Sequence, residues 1–502
     1  MPGPFPRRVG GVLLHLSSLA GRDLIGTLGP EAYTFIDWLA SSGIKVWQIL
    51  PLTINGDLNS PYFSWSTFAG NVWLIDLIEL VEVGLISREE ADRVLHDHEI
   101  GTPVDFEELR RRKRPVLWSA ANTLITTPTH PWRGDYDRYV ATTDWLENTA
   151  TFFAIRDDRQ VPWWEWPDAL RRGDRDAVAS EQDRLADEIA RWQAVLYIFD
   201  RQWSEVRRAA HQRGITILGD LPIYVADDSA DVWAHQDQFR LDEAGQMVAQ
   251  SGVPPDYFSE TGQMWGNPLY RWDAMTADGY RWWIRRLRRA LEIADLVRID
   301  HFRALSAYWE IPADANDARD GRWVNGPGQH FLDALWAEFP HFPFIAEDLG
   351  TLDDEVYRLI DDNEMSGMRV VQFGFDGLPD NPHLPQAISA RSIVYTGTHD
   401  NLPIAAWWEG LDDDDRRWVG EVYQHGACAD VGRATWSMIE AVIASSGIAA
   451  IVPMQDLLVF GADARMNDPS RPTGNWQWRM PVGALSTELA DSLRALVQRY
   501  GR

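Results

Sequence analysis

Four carboxylates stand at the ends of apolar runs. Asp220 closes Ile215-Thr-Ile-Leu-Gly-Asp220 and Asp300 closes Leu296-Val-Arg-Ile-Asp300, while Glu347 ends Phe344-Ile-Ala-Glu347 and Asp400 ends Ile393-Val-Tyr-Thr-Gly-Thr-His-Asp400. Carboxylates gathered at such ends are equipped for glycosyl chemistry. One ionised carboxylate attacks an anomeric carbon, while a second, kept protonated by a raised pKa, donates to the departing oxygen. In the retaining arrangement the two groups lie ~5–5.5 Å apart, too close for a water to fit between them. Asp300 and Glu347 are expected to form that pair. Arg298 precedes Asp300 by two residues, so on a strand it shares the same face and keeps Asp300 ionised through a charge-assisted hydrogen bond. His301 and His399 are expected to donate to sugar hydroxyls. Any one of these acids alone reads equally well as a helix cap or a surface charge. Four independent runs ending in Asp or Glu are poorly explained that way.

The elements that must position these groups follow the same rule. Beside the four runs above stand Val12–His15, Val46–Leu50, Val370–Phe373 and Ala450–Asp456, making eight short apolar, β-rich segments with polar ends. Continuous apolar runs fit strands buried on both faces, and amphipathic stretches such as Tyr280 to Ala294 lie between several of them, as parallel β/α units require. The expected fold is a (β/α)8 TIM barrel, with catalytic groups at the C-terminal strand ends. Two stretches exceed a minimal barrel. Residues 78–208 read as a helical insertion, densest in Ala, Glu, Arg and Leu from Arg172 to Arg208. Residues 240–272, rich in Gly, Pro, Asp and aromatics, read as a long ordered loop over the cleft rather than helix or strand. No repeat or flexible linker divides the chain, so residues 1–502 are expected to form one catalytic unit.

Composition narrows the classes. At 502 residues with 45% hydrophobic and 24% charged residues, the chain is long enough for a large ordered core. A net charge of −28 argues against a nucleic-acid partner held by its phosphates. Arg7 and Arg8 precede an apolar run that resembles a signal peptide, but His15 interrupts it and the stretch reads as a first buried strand. No segment is apolar for the ~18 residues of a membrane span. The single cysteine, Cys428, has no partner for a disulfide or a zinc site. Nor is there a calcium-loop spacing. The expectation is a cytoplasmic protein, monomer or homodimer, with no metal and no cofactor. The 26 tryptophans and 14 tyrosines suit sugar rings, whose C–H faces pack on aromatic platforms. Most are core; Tyr257, Phe258, Trp265 and Tyr270, in the loop-like stretch, are the better candidates.

At these positions the sequence resembles the amylomaltase and disproportionating-enzyme family, glycoside hydrolase family 77, over nearly its whole length. The resemblance is carried by Ser60-Pro-Tyr62, Phe68-Ala-Gly-Asn71 and the long run Gly252-Val-Pro-Pro-Asp-Tyr-Phe-Ser259 through Thr261-Gly-Gln263 to Trp265-Gly-Asn-Pro-Leu-Tyr270. Arg298-Ile-Asp-His-Phe-Arg303, Ala346-Glu-Asp-Leu-Gly350, Thr396-Gly-Thr-His-Asp-Asn401 and Gln455-Asp-Leu-Leu458 complete it. The resemblance implies a 4-α-glucanotransferase that moves α-1,4-glucan segments to a glucan or glucose acceptor through a covalent intermediate. It implies Asp300 as nucleophile, Glu347 as general acid/base and Asp400 as transition-state stabiliser. Asp220, Arg298 and His399 would hold the sugar at the cleavage point, and Tyr62, Asp256, Trp265 and His301 join the binding set. The sequence departs from the family pattern at Phe63, Val72, Glu260 and Ala304, and at Leu402-Pro403, which points to a different acceptor site. A glucan hydrolase on the same scaffold shares every catalytic carboxylate; a silent glucan-binding protein would not have kept all three.

Overall fold

The computed structural model describes residues 4–95, 101–255, 259–378, 381–423, 430–471 and 473–502. Asp256, Tyr257, Phe258 and Cys428 lie outside the described residues. Twelve strands are present among those described: β1 (Val9–Leu13), β2 (Val46–Gln48), β3 (Thr216–Leu221), β4 (Ala249–Val253), β5 (Gln263–Pro268), β6 (Leu296–Ile299), β7 (Ala307–Pro312), β8 (Arg322–Asn325), β9 (Phe344–Ala346), β10 (Met368–Val370), β11 (Ile393–Tyr395) and β12 (Ala449–Pro453). Eight form one parallel sheet in the order β10-β11-β12-β1-β2-β3-β6-β9. Its two edges meet where Ile345 forms a parallel bridge with Ser366 and the Ala346 amide donates to the Ser366 carbonyl at 2.9 Å. The sheet is thereby a barrel, and seven of the expected apolar runs supply a strand each; the eighth, Val370–Phe373, is corrected, since β10 ends at Val370 and the chain turns into the 3-10 helix Val371–Gly374.

The barrel is packed in two phases, because successive side chains on a strand point to opposite faces. Leu13, Val46, Leu218, Leu296, Ile345, Val370, Tyr395 and Ile451 form one buried cluster, inside the barrel. Val12, Trp47, Ile217, Val297, Phe344, Val394 and Val452 join a second, larger cluster shared with the surrounding helices. The inward phase continues past the apolar residues. Two residues beyond Leu218 is Asp220, two beyond Leu296 is Arg298, and two beyond Ile345 is Glu347. The period that fills the core therefore delivers the polar groups to the mouth.

Helices Pro30–Ser41, Ala186–Gln212, Arg281–Ile293, Gly328–Glu338, Asp354–Asp362 and Val431–Ala444 alternate with the barrel strands. The stretch 78–208 is helical, with Phe106–Thr126 and Leu146–Arg159 its longest pieces before Ala186–Gln212. The expected edge at Arg208 falls inside that 27-residue helix, which packs on both Pro30–Ser41 and β3 and so belongs to the barrel too. Apolar residues of these helices, Leu117, Phe152 and Ile198 among them, share the larger core cluster with Trp47 and Leu39. Among the described residues no helix is long and apolar enough to cross a membrane.

The reading of 240–272 as a stretch without strands is corrected. It contains β4 and β5, which with β7 and β8 form a four-stranded antiparallel sheet in the order β5-β4-β7-β8. The reason it was hidden is steric. At Gly252 a Cβ would stand 2.1 Å from the Gln263 carbonyl oxygen and 2.5 Å from Ile311 Cδ1, so this strand must carry a glycine. A composition that signals a loop is here the condition for close strand approach.

Among the polar contacts that tie the helical stretch to the barrel, one is fully buried on its cationic side. Lys113 of helix Phe106–Thr126, fully buried, places Nζ 2.6 Å from Asp23 Oδ2 in the loop after β1. Removing one partner of such a pair strands the other charge in a dry interior. Lys113→Met should lower the unfolding free energy by about 3 kcal/mol, read by urea denaturation at neutral pH. A variant as stable as the parent would show that Asp23 is adequately held by the Leu24 amide and the neighbouring Arg479 charge.

Candidate active site

The buried guanidinium of Arg298 organises the barrel mouth. It stands opposite Asp220 in the β3–β6 register and donates from Nη1 to both carboxylate oxygens, at 2.7 and 2.8 Å. Its Nη2 lies 2.7 Å from Asp300 Oδ1. Asp220 also accepts from the Tyr62 hydroxyl at 2.6 Å. Burial drives the Tyr62 hydroxyl well above its ordinary pKa, and the Asp220 charge adds to the effect, so it stays a donor.

Asp300 continues its strand, its amide donating to the Leu221 carbonyl at 2.9 Å. The side chain keeps 29% of its surface exposed, facing the mouth, whereas Asp220 is fully buried beneath it. Burial pushes the Asp300 carboxyl upward, and Arg298 is the largest influence pulling it back. The expected ionising contact is present, working against desolvation rather than unopposed.

Glu347 sits on the next strand, its amide donating to the Ile299 carbonyl at 3.1 Å. Its two carboxyl oxygens accept from backbone amides, Oε2 from His301 at 2.8 Å and Oε1 from Leu349 at 3.0 Å. No ion pair of Glu347 occurs among the described residues. Burial is the main reason its pKa is pushed up to about 8, with Asp300 and Asp348 adding to it against Arg298. Neighbouring strand ends thus hold one carboxyl on a guanidinium and one on neutral amides, which separates their proton affinities. His301 delivers its amide by taking a left-handed conformation, φ 51°, uncommon for a residue with a Cβ. Burial lowers its imidazole pKa to about 3, so the ring is neutral.

Asp400 is held from the other side of the mouth. Its Oδ1 accepts from Asn467 Nδ2 at 2.7 Å and lies 3.4 Å from His399 Nε2, while Arg465 donates to its carbonyl at 2.6 Å. Tyr62 joins the halves: its ring stacks on His399 at 5.0 Å and 13°, and its hydroxyl reaches Asp220. Trp265, on β5, meets His301 edge to face at 4.7 Å. Asp220, Arg298, Asp300, His301, Glu347, Tyr62, His399, Asp400 and Trp265 are therefore brought into one connected site. Asp256 lies outside the described residues.

The structure adds residues that the sequence did not announce. Asn467, Arg465 and Trp476, whose ring lies 5.9 Å from His399, come from an irregular stretch with no periodicity or motif to mark it. Asp456, in the motif Gln455-Asp-Leu-Leu458, is buried and structural: it accepts from Thr396 Oγ1 at 2.5 Å and from the Ile404 amide at 2.8 Å. That amide opens helix Ile404–Gly410, and Pro403 is its N-cap. The Leu402-Pro403 departure thus begins a helix, with the Leu402 carbonyl taken by Gln372 at 2.8 Å.

Known proteins resemble the chain over nearly its whole length. The family model described as 4-alpha-glucanotransferase matches residues 14–486. The 4-alpha-glucanotransferase of Thermus thermophilus is 41% identical over 504 residues, covering 99% of each chain. The chloroplastic/amyloplastic 4-alpha-glucanotransferase DPE1 of Arabidopsis thaliana is 40% identical over 509 residues, covering 100% of this chain and 87% of that one. An amylomaltase from Streptococcus agalactiae, solved in complex with acarbose, superposes with a TM-score of 0.95 at 35% identity, covering 99% of this chain and 100% of that one. Eight parallel strands closed into a barrel, a carboxylate-rich mouth and a family match along almost the entire length lead to one conclusion: the chain belongs to the 4-alpha-glucanotransferase family.

Proposed function

We propose that this 4-alpha-glucanotransferase works by a retaining double displacement in which Asp300 and Glu347 do the covalent chemistry. The observation that carries the reading is the contrast between them: Asp300 contacts a guanidinium at 2.7 Å, while Glu347 is held by neutral amides and driven up to about 8. Asp300 attacks the anomeric carbon of a bound α-1,4-glucan as Glu347 gives its proton to the departing glycosidic oxygen. The shortened chain leaves, with the donor segment joined to Asp300 as an ester. Glu347, now ionised, takes the proton of an incoming sugar hydroxyl, which displaces Asp300 and restores the α-linkage. Asp400, set by Asn467 and His399, grips donor hydroxyls; Tyr62, Asp220, Arg298, His301 and Trp265 complete the cradle. Asp256, in the segment joining β4 and β5, is assigned to the same cleft.

The segment 240–272 is proposed to cover that cleft, so that a sugar hydroxyl outcompetes water for the ester. Residues 1–502 act as one catalytic unit, complete within a single copy of the chain, with 78–208 as a helical subdomain. A compartment that keeps thiols reduced, such as the cytoplasm, suits a chain with one cysteine. No cofactor enters any step.

Incubation with maltotriose alone should give free glucose together with maltopentaose and longer products, resolved by chromatography. Asp300→Asn should reduce that ladder roughly 10³-fold or more, since the nucleophile is lost. Glucose and maltose with nothing longer than the donor would mean that the chain hydrolyses. The proton on Glu347 gives a second test. kcat/KM should fall on the alkaline side as pH passes about 8, because the general acid is lost. The same group binds its proton more tightly folded than unfolded, so its contribution to stability is full below pH 4.5 and lost as pH rises through about 8. Glu347→Gln should flatten the fall in melting temperature across that window. An unchanged slope would place the high proton affinity elsewhere.

A further inference from the structure

Among the described residues the helical stretch places none in the site, yet one of its side chains holds two of the loops that build it. Tyr62 lies in the loop after β2, and Asp220 leads into the loop after β3. Arg156, in helix Leu146–Arg159, places Nη2 2.6 Å from Asp57 Oδ2 in the first loop and Nε 2.8 Å from Asp228 Oδ2 in the second. Its guanidinium also lies 4.2 Å above the ring of Trp65, in the first loop. The two loops are also joined by the Tyr62–Asp220 hydrogen bond, by the Ala230 amide on the Trp65 carbonyl at 2.9 Å and by the Thr67 amide on Asp231 Oδ2 at 2.7 Å, and Arg286 of helix Arg281–Ile293 donates both to Thr67 Oγ1 and to the carbonyls of Pro222, Ile223 and Tyr224. Arg110 of helix Phe106–Thr126 grips the first loop as well, donating to the Asn59 side chain and to the Gly56 carbonyl.

We infer that Arg156 is a positioning residue: through its fork it fixes the two loops at the spacing that keeps Tyr62 on Asp220. The inference rests on the proposed role of those two residues in holding the sugar. The geometry separates the arms. Asp57 is 71% exposed, so that pair is screened by water, whereas Asp228 is 11% exposed and Arg156 16%. Asp228 also accepts from the Trp163 amide at 3.3 Å, which fixes it independently of the arginine. The stacked Trp65 and the buried Asp228 are therefore the working contacts, and Asp57 adds little. A planar fork with one face on an indole and its edge on a carboxylate is a task for arginine, and lysine fills it only in part.

The test is a double-mutant cycle on the full-length enzyme, using maltotriose and glucose release to obtain kcat and KM, with thermal unfolding in parallel. Arg156→Met keeps the aliphatic stem and removes the fork. It should reduce kcat tenfold or more, because small misplacements of positioning groups are costly, and Arg156→Lys should recover part of that loss. Tyr62→Phe should also lose activity. The variant with both changes should be no slower than Tyr62→Phe alone, since Arg156 acts through that tyrosine. Losses that multiply would overturn the proposal, as would an Arg156→Met enzyme of unchanged kcat and lowered melting temperature. If Arg156→Met does not fold, Asp228→Asn takes its place in the cycle with the same expectations. Asp57→Asn should be silent. Absence of transfer by the unmodified enzyme would instead refute the functional reading, a result separate from either outcome of the cycle.

Discussion

Everything at the barrel mouth depends on a cation that water does not reach. A guanidinium held in a protein interior is tolerated only when its charge and donors are matched. Arg298 is matched by Asp220 on one strand and Asp300 on its own. That requirement explains why β3 ends in a carboxylate and why it stands opposite Arg298 in the register. It also explains the division of labour among the acids. Asp220, fully buried, balances the arginine; Asp300, partly exposed, is left to face a ligand. Glu347 receives no share of the cation by direct contact, and its burial then favours the proton.

Tyr62 carries this arrangement across the mouth. Its hydroxyl belongs to the Asp220 side and its ring to the His399 side, so a single side chain fixes the distance between two groups of strands. The loop bearing it is long, and the barrel helix Arg281–Ile293 holds one part of it, with Arg286 on Thr67 and Arg289 on the Phe68 carbonyl. Helices far from the chemistry add a further restraint, and their buried faces are continuous with the barrel's outer core. The added helices thus have two tasks that composition alone does not separate, burying apolar surface and holding a loop.

What could be seen in the sequence was whatever local periodicity encodes. Seven of the eight apolar runs with polar ends became strands, Val370–Phe373 giving only its first residue to β10, and the carboxylates at the ends of β3, β6 and β9 fell on the inward phase because side chains alternate along a strand. The pairing of Arg298 with Asp300 followed from the same rule. What could not be seen depends on distant contacts. β4 carries Gly252 because β5 and β7 pass close by, and that approach leaves no signal within the segment itself. Asn467 and Arg465 reach Asp400 from an irregular loop, where spacing carries no meaning until the fold is known. Asp456 ended an apolar run like the others, yet its partners, Thr396 and the Ile404 amide, make it a buried structural support. A run ending in a carboxylate identifies an inward polar group without saying whether it meets substrate or backbone.

The shared inward phase also constrains how this lineage can change. Losing a single residue from β6 would turn Arg298 and Leu296 outward together and bring Val297 in, exchanging a buried cation of the mouth and core packing in one event. Length variation is thereby excluded from the strands and diverted into the connections, where whole helices or a small sheet have been accommodated. Ancestry should accordingly be most readable in strand-end dipeptides and least in the connecting segments, and recombination between distant relatives should succeed when crossovers fall in those connections.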